Sequence, residues 1–409
     1  MSRGSRVALL VAAVVATVAI TAGSGSAAKP PPPSPTPPSP TPSVPPGGGS
    51  TAKWTVMVYM SGDNNLEDYI VKDLELELAA MGSTPNVQVT ALADRGPGFD
   101  TSRGDWQTTK LYHPTQGMLA DAPSAVADWG ERNMGSSQTL KDFVTWSKAN
   151  YPADHYVLYF WGHGWGWHPD WTMEDKSSGT GDGLNPDEIK SVLPSLGPID
   201  VVGYDACNMA QIEILNLWNG TATALAASQE YVNMDGIEYD QVIAKLNANP
   251  AMTADQVAVA TAASATFEVT FSAMAVDSRY LALRNAVNDW SVALKNSLGS
   301  QKSAITRGFQ NAKSFWQAPT DKDLYDLAKQ INAQVSDATV KAKGTAVMTA
   351  VENLVLFRRF TGKAYNMVHG ITITGITRPV EKNADWTYYH SLGFAQSTGW
   401  DEFEDQLAT

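Results

Sequence analysis

Blocks of apolar residues alternate along the first 250 residues with amphipathic segments, which predicts strands and helices in turn. Continuous apolar runs predict buried strands at residues 55–60, 87–93, 155–164, 199–207 and 222–228, with a shorter strand at 108–112. Amphipathic helices are predicted at 66–81, 136–150 and 208–217, and another begins near Pro186. This alternation predicts an α/β fold, in which a mostly parallel sheet is covered by helices on both faces.

The pattern changes after Pro250. Helices are predicted at 253–267, over most of 280–360 and in the tail from Trp386, with strands at 271–276 and 368–376. The pattern leaves open whether this mainly helical C-terminal part packs on the same sheet or forms a separate helical subdomain.

The N-terminus has the features of a targeting segment. Arg3 and Arg6 precede an uncharged apolar run at 7–20, and small residues follow at 23–28. Because a membrane span needs about 20 apolar residues, we interpret 1–28 as a signal peptide, with an uncleaved anchor as the alternative. Residues 29–52 form a Pro/Gly-rich linker. We therefore expect a secreted or cell-surface protein whose mature form has no membrane span.

Composition narrows the class of protein. The 409 residues carry a formal net charge of −13 without a basic cluster, which argues against a nucleic-acid partner. Cys207 is the only cysteine, so no intramolecular disulfide can form. A lone thiol in a secreted protein has two explanations: it takes part in a reaction, or it is buried in the core as a small hydrophobic side chain.

A cysteine and a histidine follow two of the predicted strands. Since the carboxyl ends of parallel strands share one sheet edge, Cys207 and His163 are candidates for a nucleophile and its general base. The helix predicted directly after Cys207 would favour its thiolate. The backbone N–H groups of Gly164 and Cys207 are candidates for an oxyanion hole. The alternative is a core cysteine and a separately packed histidine.

Nearby carboxylates are candidates for substrate binding. Asp205 lies two residues before Cys207, on the same face of the strand, and would bind a basic substrate side chain. Asp235 is a second candidate. The alternatives are that Asp205 caps a turn and that Asp235 belongs to an ordinary Asp-Gly turn. Residues 63–65, after the first strand, either shape the pocket or cap the next helix.

Metal binding is the weaker alternative. His163, His168 and Glu174 lack the spacing of a known metal motif, and 182–188 departs from a calcium-binding loop. The latter segment instead predicts a helix start with Asn185 as N-cap and Glu188 at the third position. We expect no metal ligands. The tryptophans at 161–171 either wall a substrate cleft or anchor a loop.

Taken together, these motifs resemble the clostripain-like cysteine peptidases of the caspase–gingipain–legumain clan. The matching segments span most of 54–405, and the most specific are 54–67, 161–166 and 205–209. The resemblance implies a caspase-like catalytic core at 53–250, a C-terminal part at 251–409 that packs on it, and a Cys207/His163 dyad. It also implies cleavage after Arg or Lys, with Asp205 and Asp235 as the substrate-binding carboxylates.

The resemblance further implies self-processing between the dyad residues. Lys176 and Lys190 are the only basic residues there, and Lys190 lies in a predicted helix, so we expect a cut at Lys176–Ser177. Calcium is implied by the resemblance alone, because the sequence shows no ligand set for it, and we expect no cofactor to be required. The expected partners are protein or peptide substrates with a basic P1 residue.

The resulting hypothesis is a secreted cysteine endopeptidase. A non-catalytic binding protein of the same fold at the cell surface, and a metal-dependent hydrolase, remain as alternatives. Intact Cys207, His163 and Asp205 argue against a non-catalytic protein.

Overall fold

A nine-stranded sheet forms the centre of the molecule in the computed structural model, which describes residues 51–169, 172–176, 182–382 and 385–409. The strands in chain order are β1 (Ala52–Gly62), β2 (Val87–Arg95), β3 (Lys110–Tyr112), β4 (Ala127–Asp128), β5 (Ala153–Trp161), β6 (Thr172–Asp175), β7 (Asp182–Leu184), β8 (Val201–Asp205), β9 (Ala224–Ala227), β10 (Thr270–Ala275), β11 (Asp321–Asp323), β12 (Val355–Phe360) and β13 (Thr372–Thr374). The order across the central sheet is β12-β10-β9-β8-β5-β1-β2-β3-β4, and β6–β7 and β11–β13 form two small antiparallel pairs.

The five central strands are parallel, and antiparallel strands flank them on both sides. This arrangement confirms the predicted α/β class. β1 is buried on both faces, as a central strand requires. Its alternate side chains enter different cores: Val56 and Val58 face one layer of helices, whereas Met57 and Tyr59 face the other.

Thirteen α-helices are present in the described part of the chain. They are α1 (Glu67–Asp73), α2 (Ala79–Met81), α3 (Ser137–Asn150), α4 (Pro186–Leu196), α5 (Ile212–Trp218), α6 (Tyr239–Ala248), α7 (Ala254–Ser264), α8 (Ser278–Asn311), α9 (Leu324–Gln334), α10 (Ala338–Leu354), α11 (Asp385–Tyr389), α12 (Gly393–Ser397) and α13 (Trp400–Leu407). A π-helical turn at Leu74–Leu78 joins α1 to α2, so the helix predicted at 66–81 is present but wider in its middle.

The helices form two layers. One face of the sheet carries α1, the π-helical turn, α6 and α7, and the other carries α3–α5 together with the C-terminal helices. Local signals place several of these helices. The capping box of Asn185 and Glu188 starts α4, as predicted, and Ser136 caps α3.

The C-terminal part extends the same sheet, because β10 pairs antiparallel with β9 and β12 pairs with β10. This decides the alternative that the sequence left open. Residues 280–360 are mainly helical, as predicted, and the stretch also contains the short strand β11 and ends in β12. β12 is an edge strand whose residues are half-buried or exposed and include two arginines, so its sequence shows only a weak apolar pattern.

The N-terminal predictions lie outside the described residues. These are the signal peptide at 1–28 and nearly all of the linker at 29–52, although Ala52 already belongs to β1. None of the helices that the structure describes is both long and apolar enough to cross a bilayer.

Candidate active site

Cys207 and His163 leave the sheet at the same edge. β5 and β8 are adjacent and parallel, and Trp161 at the end of β5 pairs with Asp205 at the end of β8. Each reactive residue lies two positions further along its chain. Both side chains line one pocket of about 270 Å³. The parallel register therefore brings the two candidates to one site, as the strand pattern indicated.

The helix predicted at 208–217 is present as α5, but its predicted start directly after Cys207 is wrong. Asn208 has a φ of 59°, in the left-handed region, and α5 begins only at Ile212. The segment between them is held in extended form, because Gln211 bridges Thr372 on β13. Since a helix dipole acts only within about its first turn, α5 does not stabilise a Cys207 thiolate.

The Cys207 thiol is instead held by the loop that faces it. Val232 N–H donates to Sγ at 3.3 Å, and the Val232 carbonyl lies 3.8 Å from Sγ as an acceptor for the thiol proton. Burial raises the pKa of Cys207, the hydrogen bond from Val232 opposes the rise and the charges of Glu268 and Asp205 add to it, which together bring the pKa to about 11. The resting nucleophile is therefore a protonated thiol.

The His163 side chain is held by Asn65. The sequence pattern predicts for residues 63–65 no contact with His163, only a role in shaping the pocket or capping the next helix. The Nε2 atom of His163 lies 2.9 Å from Oδ1 of Asn65, in the loop after β1. When Nε2 carries the proton and donates to this oxygen, Nδ1 remains as the proton acceptor. Burial lowers the pKa of His163, so the resting imidazole is neutral and able to act as a base. Asn64, by contrast, accepts from Leu66 N–H at the start of α1.

Gly164 brings its backbone against that of Cys207. A Cβ atom at Gly164 would lie 2.7 Å from the Cys207 carbonyl oxygen and 3.1 Å from the Cys207 nitrogen. Only glycine allows this approach. The arrangement places the two backbone segments that supply the predicted oxyanion hole side by side.

Asp205 lies at the base of the pocket and is almost fully buried. Its Oδ2 accepts from the Ile237 amide at 3.1 Å and from the Tyr239 hydroxyl at 2.9 Å. Burial raises the pKa of Asp205 to about 6, and these two hydrogen bonds oppose the rise. The carboxylate thus holds the 236–239 turn, as one interpretation of the sequence predicted, and it also lines the pocket. Its substrate-binding role stays a prediction.

Asp235 is placed differently. Its carboxylate pairs with Lys72 at 3.1 Å, the side chain is half exposed, and it is absent from the described residues that line the pocket. The pair lies at the rim, where solvent screens it.

A further carboxylate in the pocket was missed by the sequence reasoning. Asp73, the last residue of α1, lines the pocket and is buried. Its Oδ2 accepts from Trp161 Nε1 at 2.7 Å. The available signal was an acid on the apolar face of an amphipathic helix, three positions after the buried Ile70.

The predicted processing segment lies beside a cluster of acids. Lys176 is exposed, and its N–H donates to the Asp63 carbonyl at 3.0 Å; Ser177 lies outside the described residues. Preceding it, Asp175 joins a group of carboxylates whose ligand atoms lie within 4.8 Å of one another, formed by Asp63, Asp94, Glu131 and Asp175. One oxygen of the buried Asp94 has no hydrogen-bond partner among the described residues. Burial, together with the like charges of Asp175 and Asp63, raises the pKa of Glu131 to about 7.

No sequence pattern joins these four residues, because they come from separate loops and strand ends. The histidines considered for a metal do not converge: His168 bonds Asp385 at 2.9 Å and stacks on Trp167, whereas His163 bonds Asn65. Of the loop tryptophans, Trp161 walls the pocket and Trp167 is an anchor, with Nε1 donating to Thr374.

Comparison with known proteins agrees with the fold and the motifs. The model of the clostripain family matches residues 58–406. A curated relative, clostripain of Hathewaya histolytica, is 30% identical over 226 residues, which cover 48% of this chain and 42% of the relative. The matched region therefore spans about two fifths of that relative's length.

Two solved structures share the fold. A secreted C11 cysteine protease from Bacteroides thetaiotaomicron, in complex with an irreversible peptide inhibitor, superposes with a TM-score of 0.66 at 18% identity, covering 85% of this chain and 99% of the other. An inactive zymogen C11 protease from Parabacteroides distasonis gives a TM-score of 0.63 at 18% identity and the same coverage of both chains.

Proposed function

Because the chain belongs to the clostripain family, we propose that it is a secreted cysteine endopeptidase that cleaves peptide bonds after Arg or Lys. The observation that supports this function best is the convergence of Cys207 and His163 on one pocket that also contains a buried carboxylate, Asp205. A secreted location is supported by the targeting pattern at 1–28 and by the description of one structural neighbour as secreted.

The proposed reaction begins with the neutral pair. Nδ1 of His163 takes the thiol proton of Cys207, and Sγ attacks the scissile carbonyl carbon. The N–H groups of Gly164 and Cys207 stabilise the resulting oxyanion. The imidazolium then protonates the leaving amine as the C–N bond breaks, which leaves a thioester on Cys207. Water, deprotonated by His163, hydrolyses the thioester and releases the acid and the thiol.

The preference for a basic P1 side chain is supported by the charge of the pocket. Asp205 would pair with the P1 cation inside the pocket. Asp235 would bind the basic substrate from the rim of the pocket once its ion pair with Lys72 opens. A charge-assisted hydrogen bond in a buried pocket is stronger than a neutral one, which favours Arg and Lys over uncharged residues.

Self-processing at Lys176–Ser177 follows from the same specificity, since Lys176 is exposed and Lys190 lies within α4. Expressed wild type is expected to separate into two chains, whereas Cys207→Ala and Lys176→Gln stay intact. Lys190→Gln is the matched control and should still be cut. N-terminal sequencing that finds an intact chain in active enzyme would contradict the processing step.

The reaction requires no cofactor, and calcium enters only through the family resemblance. The carboxylates of Asp63, Asp94, Glu131 and Asp175 fit a hard cation, because they offer oxygen ligands at close range and one Asp94 oxygen has no other described partner. Calcium bound there would neutralise the cluster and hold the chain next to Lys176. No catalytic step uses it.

Hydrolysis of Arg-P1 and Lys-P1 reporter peptides tests the function. Activity is expected to vanish with iodoacetamide, in Cys207→Ala and in His163→Ala, and to survive in His155→Ala, a matched histidine on the exposed part of β5. Activity that survives Cys207→Ala would reject the proposal. Loss with a chelator but not with iodoacetamide would favour a metal-dependent hydrolase. Peptide binding without turnover would favour the non-catalytic alternative.

A further inference from the structure

The pocket beside Cys207 contains two buried carboxylates, Asp205 and Asp73, which differ in their hydrogen bonds. Asp205 Oδ2 carries two hydrogen bonds, and its Oδ1 lies against Gly236, where a Cβ atom would be only 2.5 Å away. Asp73 bonds Trp161 through Oδ2, while its Oδ1 is buried without a hydrogen-bond partner among the described residues. Asp73 therefore has acceptor capacity that the fold does not use.

A buried carboxylate oxygen without a donor is unfavourable and requires an explanation. Trp161 needs only one oxygen of Asp73, so its anchoring does not explain the second. The nearest basic side chain in the sequence, Lys72, is held at the rim by Asp235 at 3.1 Å and does not line the pocket. The charge of Lys72 acts on Asp73 from a distance, but Lys72 donates no hydrogen bond to Asp73 Oδ1. The fold thus leaves this acceptor of a pocket-lining residue without a donor among the described residues.

The surroundings of Asp73 also favour an incoming cation. Burial raises the pKa of Asp73 well above its ordinary value, and the neighbouring charges of Glu77 and Asp205 raise it further. A guanidinium or ammonium group between Asp73 and Asp205 would relieve this repulsion. The aliphatic stem of such a group would pack against the apolar lining from Leu66, Tyr69 and Met234.

We propose that Asp73 and Asp205 together form the anionic base of the S1 pocket, and that Asp73 Oδ1 accepts a hydrogen bond from the P1 guanidinium or ammonium group. This inference rests on the proposed peptidase function and adds a substrate-binding residue to it. The planar fork of arginine presents several N–H donors at once, so it can bond both carboxylates, which a compact ammonium does less well. Arg is therefore preferred over Lys at P1.

The test compares kcat/KM for two reporter peptides that differ only at P1, with Arg in one and uncharged citrulline in the other. Asp73→Asn is isosteric and keeps an oxygen for Trp161. It should lower kcat/KM for the Arg peptide by about 10- to 100-fold and for the citrulline peptide by less than about threefold. Asp68→Asn, an exposed acid on the same helix, is the matched control and should behave as wild type.

Each outcome decides the matter. An unchanged ratio of Arg to citrulline in Asp73→Asn, or an equal loss on both peptides, overturns the role of Asp73 while the peptidase function stands. If Asp73→Asn does not fold, Asp73→Glu decides: its longer side chain should change the Arg-to-Lys ratio at least threefold, and an unchanged ratio overturns the role.

If wild type cleaves neither peptide, the proposed function fails, and binding alone tests Asp73. Agmatine, a small guanidinium compound, should then slow iodoacetamide labelling of Cys207 in wild type and in Asp68→Asn but not in Asp73→Asn. Equal protection in all three proteins, or no protection in wild type, overturns the inference.

Discussion

Gly164→Ala tests the oxyanion hole through a single added carbon. The new Cβ would lie 2.7 Å from the Cys207 carbonyl oxygen and 2.8 Å from Ala206 Cβ. Comfortable contacts between nonbonded atoms begin near about 3.5 Å, so the two backbone segments must separate by about 0.8 Å. Neither contact is with a flexible side-chain end, so the strain cannot be relieved by a rotamer change. A stability loss of about 1–3 kcal/mol is expected from such overpacking.

The effect on catalysis should exceed the effect on stability. An oxyanion donor works only within about 2.7–3.1 Å of the developing charge, and losing one donor costs about 10²- to 10³-fold in kcat. We therefore expect kcat for an Arg-P1 reporter to fall about 100-fold, which corresponds to about 2.7 kcal/mol of transition-state stabilisation. KM should change much less, because the ground-state carbonyl does not yet carry the negative charge.

Steady-state kinetics, thermal melting and iodoacetamide labelling of Cys207 separate the two effects. Gly299→Ala is the matched control, since a Cβ there meets open space within α8 and should leave kcat unchanged while it favours the helix. A folded Gly164→Ala protein with kcat within twofold of wild type would refute the reasoning and remove Gly164 from the oxyanion hole.

Three further predictions concern the groups around the nucleophile. Asn65→Ala should lower kcat about three- to tenfold with little change in KM, because His163 loses a hydrogen bond worth about 1 kcal/mol. An unchanged kcat would show that Asn65 does not position the imidazole. Burial raises the pKa of Cys207 to about 11, so little thiolate exists at neutral pH. The rate of iodoacetamide labelling without substrate should therefore still rise above pH 9, whereas a rate that levels off below about pH 9, as for an ordinary thiol, would contradict this pKa. Millimolar calcium should raise the melting temperature of wild type and of Asp68→Asn by a few degrees but not that of Asp94→Asn, and equal shifts in all three would exclude the acidic cluster as the site.

The electrostatics of the nucleophile shows where sequence reasoning failed. The helix predicted after Cys207 would have lowered the thiol pKa, yet the chain turns at Asn208 and burial raises that pKa. The sequence pattern from Asn208 onward is compatible with helix, but pairing with β13 holds Gln211 in extended form. A contact with a strand more than 160 positions away cannot be found from local periodicity.

The periodic pattern of apolar residues by itself determined the class of fold, the central strands and the sheet edge at which Cys207 and His163 meet. This succeeded because parallel strands buried on both faces give long apolar runs, and because their carboxyl ends share one edge. The capping signal at α4 succeeded because it acts within one helical turn.

Only the tertiary structure decided which acids meet. It placed Asp73 with Asp205 in the pocket, moved Asp235 to the rim with Lys72, and gathered four carboxylates near Lys176. A carboxylate in a helix or loop carries no local mark of its neighbours, because charge interactions depend on distance and burial rather than on spacing along the chain. Those two quantities arise only when the helices pack on the sheet.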